Sequence, residues 1–258
     1  MKQFILREYP DKNGDISLGG KDFHYLVRVR RMRKGDVFDC RLPSGEAAVL
    51  RVTAVEKNTL AAKCTLVKEV YTQTSPAIIL FQSMVKGAKM DLIVRQAGET
   101  GVTEIVPFYS GHSVPRDGKN PDVGRLGRWL RILDEARKQS GSAIVSNISA
   151  PRSREQLFSY WEQMRSLHEE SLALLVHEIP LANMGFHQYL ETVPELVVLA
   201  VGPEGGFSPD EAGDFVKAGF KPVTLGSTIL RAESAALYST AVVRTLIFER
   251  QTWTVTKI

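Results

Sequence analysis

Residues 195–215 read ELVVLAVGPEGGFSPDEAGDF, and this stretch decides the fold. Leu196–Val201 is an uninterrupted apolar run of strand length, too short for a buried helix and rich in β-branched residues. It runs directly into Gly202-Pro203-Glu204-Gly205-Gly206 and then into a helix whose start is well specified. Ser208 is a natural N-cap, Pro209 suits the first helical position, and Glu211, three residues on, completes a capping box. Glycines at the end of a strand let the backbone approach a ligand closely and offer it N–H groups. The loop lacks the G-x-G-x-x-G spacing of a dinucleotide fold and the Gly-Lys-Ser/Thr of a Walker loop. By itself it would also be satisfied by a purely structural tight turn.

Two further strand ends lie nearby in sequence. Pro222–Leu225 ends at Gly226 and leads through Ser227-Thr228-Ile229-Leu230-Arg231 into a long apolar helix opened by Glu233, and Leu172–Val176 ends in His177-Glu178. Three buried-type strands ending close together describe a ligand crevice at the carboxyl edge of a parallel sheet. Working back toward residue 76, strand-like and helix-like segments alternate: AIILFQSMV, MDLIVRQAGETG, TEIVPFY, RLGRWLRILDEARKQSG, NISAP, REQLFSYWEQMRSL, SLALLVHEI and FHQYLETV. This alternation predicts an α/β fold with both faces of the sheet covered. Ser110–Gly127 is the one long irregular connection, and its length suits a lid or a mobile insertion. No internal repeat of fixed period is present.

The pattern changes before residue 70. Short alternating runs such as AAVLRVTAV, separated by Lys34-Gly35-Asp36, Pro43-Ser44-Gly45 and Lys57-Asn58, predict a small antiparallel sheet or barrel with one short helix near His24–Arg30. Residues 1–70 and 76–258 are therefore expected to be separate domains, joined by the polar link at 71–76. The 258 residues carry a net charge of +4, yet residues 1–70 alone hold 14 basic and 9 acidic side chains, so the rest is slightly acidic. Lys21–Lys34 (KDFHYLVRVRRMRK) sets six basic residues against Asp22 alone. Such a cluster reads as a footprint for phosphates, with a solvated helix face as the plainer alternative. The rings of Phe23, His24 and Tyr25 beside Arg28, Arg30, Arg31 and Arg33 favour RNA, since rings stack on unpaired bases. Apolar residues are 43% and charged residues 24% of the chain, globular values that exclude a disordered or fibrous protein. No apolar run reaches membrane-spanning length, and Arg7, Glu8 and Asp11 occupy the place of a signal peptide's apolar region, so a cytoplasmic protein is expected. Cys40 and Cys64 fit no zinc spacing, and neither a metal nor a disulfide framework is expected.

The run VGPEGGFSPDE followed by LGSTILRAESAA closely resembles the RsmE-type 16S ribosomal RNA methyltransferases of the SPOUT superfamily. HYLVRVRRMRKGD, MDLIVRQAGETGVTEIVP and RWLRILDEARKQSG match that family's other blocks in order, so the likeness spans nearly the whole chain. The resemblance implies an amino-terminal PUA-like RNA-binding β-barrel and an α/β SPOUT domain with a deep trefoil knot at its carboxyl end. It also implies a homodimer that binds S-adenosylmethionine in the knot and methylates N3 of a uridine in the decoding region of 16S rRNA, with the assembled small ribosomal subunit as substrate. His177, Glu178, Gly202, Pro203, Glu204, Gly205, Leu225, Gly226 and Leu230 would then surround the cofactor. His24, Arg28, Arg30, Arg31 and Arg33 would contact RNA. The chain departs from the family's pattern at Gln96, where a Lys is usual, at Gly98 and Thr100, and at Ser142, where an Arg is usual.

Uracil N3 carries a proton at neutral pH, so the implied reaction needs a base or charge stabilisation of the anionic ring. Arg231, with its permanent charge and planar fork of donors, is the expected stabiliser. It could instead pair with Glu233 or Glu204. Glu233 is the candidate base, or else a first-turn acid complementing the helix dipole; imidazoles titrate nearer neutrality, but His24 and His177 read first as structural histidines satisfied by backbone bonds. The rival readings are another SPOUT enzyme acting on ribose 2′-hydroxyl or tRNA guanine, and a non-catalytic RNA-binding module.

Overall fold

A computed structural model describes residues 4–68, 76–113 and 122–250. The chain divides into two compact units, one drawn from Met1–Gln73 and Arg137–Val145, the other from Thr74–Ala136 and Ser146–Ile258.

The first unit contains β1 (Phe4–Ile5), β2 (Asp15–Gly19), a short α1 (Gly20–Phe23) continuing into a π-helical turn (His24–Val29), β3 (Val37–Arg41), β4 (Ala47–Val55) and β5 (Thr59–Lys68). The strand order is β1-β3-β4-β5-β2. Pairing is antiparallel as expected except at one edge, where β1 runs parallel to β3. Strand alternation puts Ala48, Leu50 and Val52 inward from β4, where they meet Leu26, Phe38 and Leu60. Gly45 is fixed as glycine twice over: its φ is +105°, and a Cβ there would lie 2.0 Å from the Ala143 carbonyl oxygen. The 137–145 segment is tied on by Arg41, whose Nε donates to Gly141 O at 2.7 Å, and by Arg137, whose guanidinium donates to Pro43 O at 3.3 Å. Burial lowers the Arg41 guanidinium pKa.

The expected short helix near His24–Arg30 is wider than an α-helix. Arg30 N–H donates to Tyr25 O at 2.9 Å, Met32 N–H closes the end on Leu26 O at 3.0 Å, and Arg31 stands at φ +57°. One expectation is corrected here. Phe23 is buried and Tyr25 stacks on Phe4 with ring centroids 6.2 Å apart, so those rings build the core and are not free to stack on bases.

The second unit is a three-layer sandwich. Its elements are β6 (Ala77–Ser83), α2 (Lys89–Thr100), β7 (Glu104–Phe108), α3 (Asp122–Ser140, of which residues 122–136 belong to this unit), β8 (Asn147–Ile148), α4 (Arg154–Leu167), β9 (Ser171–Val176), α5 (Phe186–Tyr189), β10 (Leu196–Val201), α6 (Pro209–Lys217), β11 (Lys221–Val223) and α7 (Ala232–Phe248). The sheet is wholly parallel, in the order β11-β9-β10-β6-β7-β8. Period-two alternation divides its side chains between two cores. Ile78, Leu80, Leu174 and Leu199 face α2, α3, α5 and α7, whereas Ile79, Phe81, Leu175 and Val198 face α4 and α6. Boundaries differ from the sequence reading in three places. β11 stops at Val223 and not Leu225, the helix expected over 186–193 is a single turn, and the final residues of the Ser110–Gly127 connection are already helical. Residues 114–121 of that connection lie outside the described residues.

Phe215 is fully buried and packs its ring within 6.0 Å of those of Phe108, Phe158, Phe207 and Phe220. Phe215→Ala is expected to cost about 3–5 kcal/mol and to lower the thermal midpoint by roughly 10 °C. Calorimetry showing an unchanged midpoint would contradict this packing.

Candidate functional site

β9, β10 and β11 end together, and His177 N–H extends the ladder by donating to Val223 O at 2.9 Å. The three following segments enclose one cavity. Its walls are Val176, Val201, Phe207, Leu225, Leu230 and Ala235 on the apolar side and His177, Glu178, Glu204, Thr224 and Thr228 on the polar side, with Gly202, Pro203, Gly206 and Gly226 closing it. Of the nine residues expected around a cofactor, eight line this cavity. Gly205 does not line it; it faces outward toward His112, whose Cβ would lie 3.1 Å from a Cβ at that position.

The Gly202–Gly206 loop is held from several directions. Gly206, at φ +68°, closes a turn by donating its N–H to Pro203 O at 3.0 Å. The capping box read from the sequence is present: Glu211 N–H donates to Ser208 Oγ at 3.2 Å and Ser208 N–H to Glu211 Oε2 at 3.1 Å. Glu211 is also buried and accepts Gly111 N–H at 2.7 Å on its other oxygen, with Arg154 at 3.6 Å. The 110–113 segment is thereby anchored beside the loop. Glu204, one of the cavity's carboxylates, accepts Lys89 Nζ at 2.8 Å and Lys86 N–H at 3.3 Å. Partial burial pushes its carboxyl pKa up, but those hydrogen bonds, its own backbone N–H and the Lys89 charge outweigh burial and hold it below the ordinary value.

Arg231 and Glu233 do not line the cavity. They flank Leu230 and Ala232, which do, and so stand at its rim. Arg231 is the exposed N-cap of α7, and Glu233 lies in that helix's first turn with its Oε2 buried and without a hydrogen-bond partner among the described residues. Among the described residues Arg231 forms no ion pair, and Glu204 is paired with Lys89. His177 Nδ1 accepts the Ile179 N–H at 3.3 Å. The structure places the remaining predicted residues, His24, Arg28, Arg30, Arg31 and Arg33, in the first unit, with His24, Arg28, Arg31 and Arg33 exposed and Arg30 half-buried. None of these arginine side chains forms an ion pair among the described residues. At the departures from the family pattern, Gln96 Oε1 is buried and unpartnered, and Ser142 Oγ accepts Ile144 N–H at 3.1 Å within a turn.

Sequence reasoning missed Lys89, His112 and the second role of Glu211, because each acts across long separations that no local spacing records. Gln82 was missed for the same reason: it is wholly buried at the end of β6, donates to Gly202 O at 3.4 Å and leaves its Oε1 unpartnered.

A family profile for an RNA methyltransferase domain matches residues 73–244, and one for an RNA methyltransferase PUA domain matches residues 18–63. The chain belongs to this family of RNA methyltransferases. It is 30% identical over 249 residues to ribosomal RNA small subunit methyltransferase E 2 of Borreliella burgdorferi, covering 96% of this chain and 98% of that protein. It is also 30% identical over 236 residues to ribosomal RNA small subunit methyltransferase E of Synechocystis, covering 90% and 73%. Among solved structures, the ribosomal RNA small subunit methyltransferase E of Neisseria gonorrhoeae bound to S-adenosyl methionine aligns with TM-score 0.74 and 28% identity, over 95% of this chain and 98% of that one. The α/β methyltransferase fold and the amino-terminal PUA-like domain follow from these matches. Among the described residues no cluster of three or more His, Cys, Asp or Glu could hold a metal, and no helix is long and apolar enough to cross a membrane.

The lowered Glu204 pKa makes a pH-dependent contribution to the loop. A depressed carboxylate stabilises the folded loop above its unfolded value of about 4.3, and that contribution is lost as pH falls through the folded value. Hydrogen exchange at Gly205 and Gly206 is expected to accelerate at a higher pH in Lys89→Met than in the wild type. Coincident pH profiles would show that the Lys89 contact does not hold the loop.

Proposed function

We propose that the chain transfers a methyl group from S-adenosylmethionine to N3 of a uridine in small-subunit ribosomal RNA. The observation that carries this reading is the single cavity that β9, β10 and β11 build at their carboxyl ends from eight of the nine cofactor residues expected. Its residues fit that cofactor. The apolar walls suit a purine ring, backbone groups at Gly202 and Gly226, bare of side chains, suit hydrogen bonds to its edge, and the Glu178 and Glu204 carboxylates suit a ligand carrying an ammonium and a sulfonium. Gly226, at φ +140°, holds a backbone conformation that side chains rarely adopt, so the chain there is shaped by glycine.

Bound there, the cofactor would supply an electrophilic methyl. The chain's own residues then have two tasks. Arg231 at the rim stabilises the negative charge that develops on the uracil ring as N3 loses its proton. Glu233, whose Oε2 is buried and without a hydrogen-bond partner among the described residues, takes that proton. The basic π-turn of the first unit holds RNA phosphates through Arg28, Arg30, Arg31 and Arg33, with His24 beside them, while the PUA-like unit orients the strand. The reading includes a trefoil knot at the carboxyl end of the second unit, a homodimer, the assembled small subunit as substrate, and a cytoplasmic setting.

The direct test is incubation with labelled S-adenosylmethionine and small subunits, followed by mass spectrometry of the digested nucleosides. 3-Methyluridine supports the reading, and label on ribose or guanine overturns it. Arg231→Ala is expected to lower methyl transfer at least 100-fold, the scale of one lost charge-stabilising donor, with cofactor affinity kept; transfer at the wild-type rate would remove Arg231 from the chemistry. Replacing Arg28, Arg30, Arg31 and Arg33 by Gln is expected to weaken RNA binding and flatten its salt dependence, because each phosphate contact releases counterions. Equal slopes for wild type and variant would dismiss that turn as an RNA contact.

A further inference from the structure

The second unit carries a basic feature that lies outside both the cofactor cavity and the basic π-turn. Residues 71–258 are slightly acidic as a whole, yet Arg125, Arg128 and Arg131 stand at i, i+3 and i+6 on α3. Arg95 of α2 shares one surface pocket with Arg128 and Arg131, and Arg128 also borders an adjoining pocket with Arg125, the two together forming a groove along the α2–α3 face. Residues spaced in this way share one helix face and succeed each other every 4.5 Å or so along the axis. Arg95 is exposed and has no hydrogen bond or ion pair among the described residues. Arg128 is oriented by an ion pair with Asp91. Among the described residues, Asp91 and Glu135 are the carboxylates that border the groove.

The groove also has a direction. Beyond Arg128 it continues over Met84 and Val85, which follow β6, and over Tyr109, which follows β7. It therefore reaches the same carboxyl edge of the sheet as the cofactor cavity, and Lys86 and Lys89 beside it bind the cavity's Glu204. Gly98 permits this close seam: a Cβ there would lie 3.1 Å from Ala136 Cβ and 3.1 Å from Leu133 Cδ2.

We propose that the α2–α3 groove is a second RNA-binding surface, in which Arg95, Arg125, Arg128 and Arg131 follow the backbone phosphates of a single strand running toward the cofactor cavity. Planar guanidiniums match phosphate oxygens better than other surface cations do. The half-buried Tyr109 with Met84 gives an unpaired base an apolar wall where the strand arrives. The proposal rests on the methyltransferase reading above and adds a route for its substrate.

The test uses the full chain and a single-stranded ribosomal RNA fragment. Affinity is measured by fluorescence anisotropy over a salt series for wild type and for Arg95→Gln/Arg131→Gln, two exposed positions whose loss removes no ion pair among the described residues. The slope of log affinity against log salt is expected to fall by about 1.4, or 0.7 for each lost single-strand phosphate contact. Calorimetric affinity for S-adenosylmethionine should be unchanged. Parallel slopes overturn the proposal while leaving the cofactor site standing. A changed sedimentation coefficient with an unchanged RNA slope would assign the groove to contact between copies and would likewise overturn it. Loss of S-adenosylmethionine binding by the wild type itself would instead defeat the reading on which the proposal depends.

Discussion

The constraint on which the second unit depends is the complete enclosure of β10. Leu196–Val201 is hydrogen-bonded to β6 on one side and β9 on the other, and none of its six side chains is more than 1% exposed. A strand so enclosed must be apolar on both faces, and any loss of register would drive large side chains into the opposite core. Residue 202 consequently starts from a fixed point. The loop that follows needs only a few contacts, from Gly206, Ser208–Glu211 and Lys89–Glu204, to take one shape. Rigid placement of backbone groups at a strand end is what lets a site work without reorganising at each turnover.

The central strands and the start of α6 were legible in the sequence because their causes are local. An apolar run of six residues, two glycines after a proline, and Ser-Pro-Asp-Glu each carry their own physics within a few positions. The end of β11 was not legible: Thr224 and Leu225 continue a strand-like pattern, but the register that pairs Lys221–Val223 with Leu174–Val176 ends at His177. The single-turn α5 fell short of the expected helix for the complementary reason, since Gly185 caps it and Leu190 ends it in a non-helical conformation. The site divides in the same way. Residues following strands could be named, whereas Lys89, His112 and Gln82 enter through contacts that span many residues of chain.

In the first unit the charges and the rings of one basic segment are sorted differently by packing. Six cations within Lys21–Lys34 do mark an exposed basic surface, yet the aromatic residues among them are largely taken up by the core, with Tyr25 stacked against Phe4 and Phe23 buried. A five-stranded sheet this small has little apolar surface to bury, and Phe23 and Tyr25 help to fill its core. Charge, which costs little at a surface, stays exposed there. The same division holds in the second unit, where the arginines of α2 and α3 are borne on helices whose opposite faces bury Met90, Ile93, Trp129 and Leu133.

Titration of the full chain with S-adenosylmethionine by isothermal calorimetry reaches the centre of this account most directly. Saturable uptake at one site per chain, abolished by Gly226→Val in a variant that still unfolds cooperatively, is the expected result. A well-folded wild type that takes up no S-adenosylmethionine, whether or not RNA is present, would contradict it.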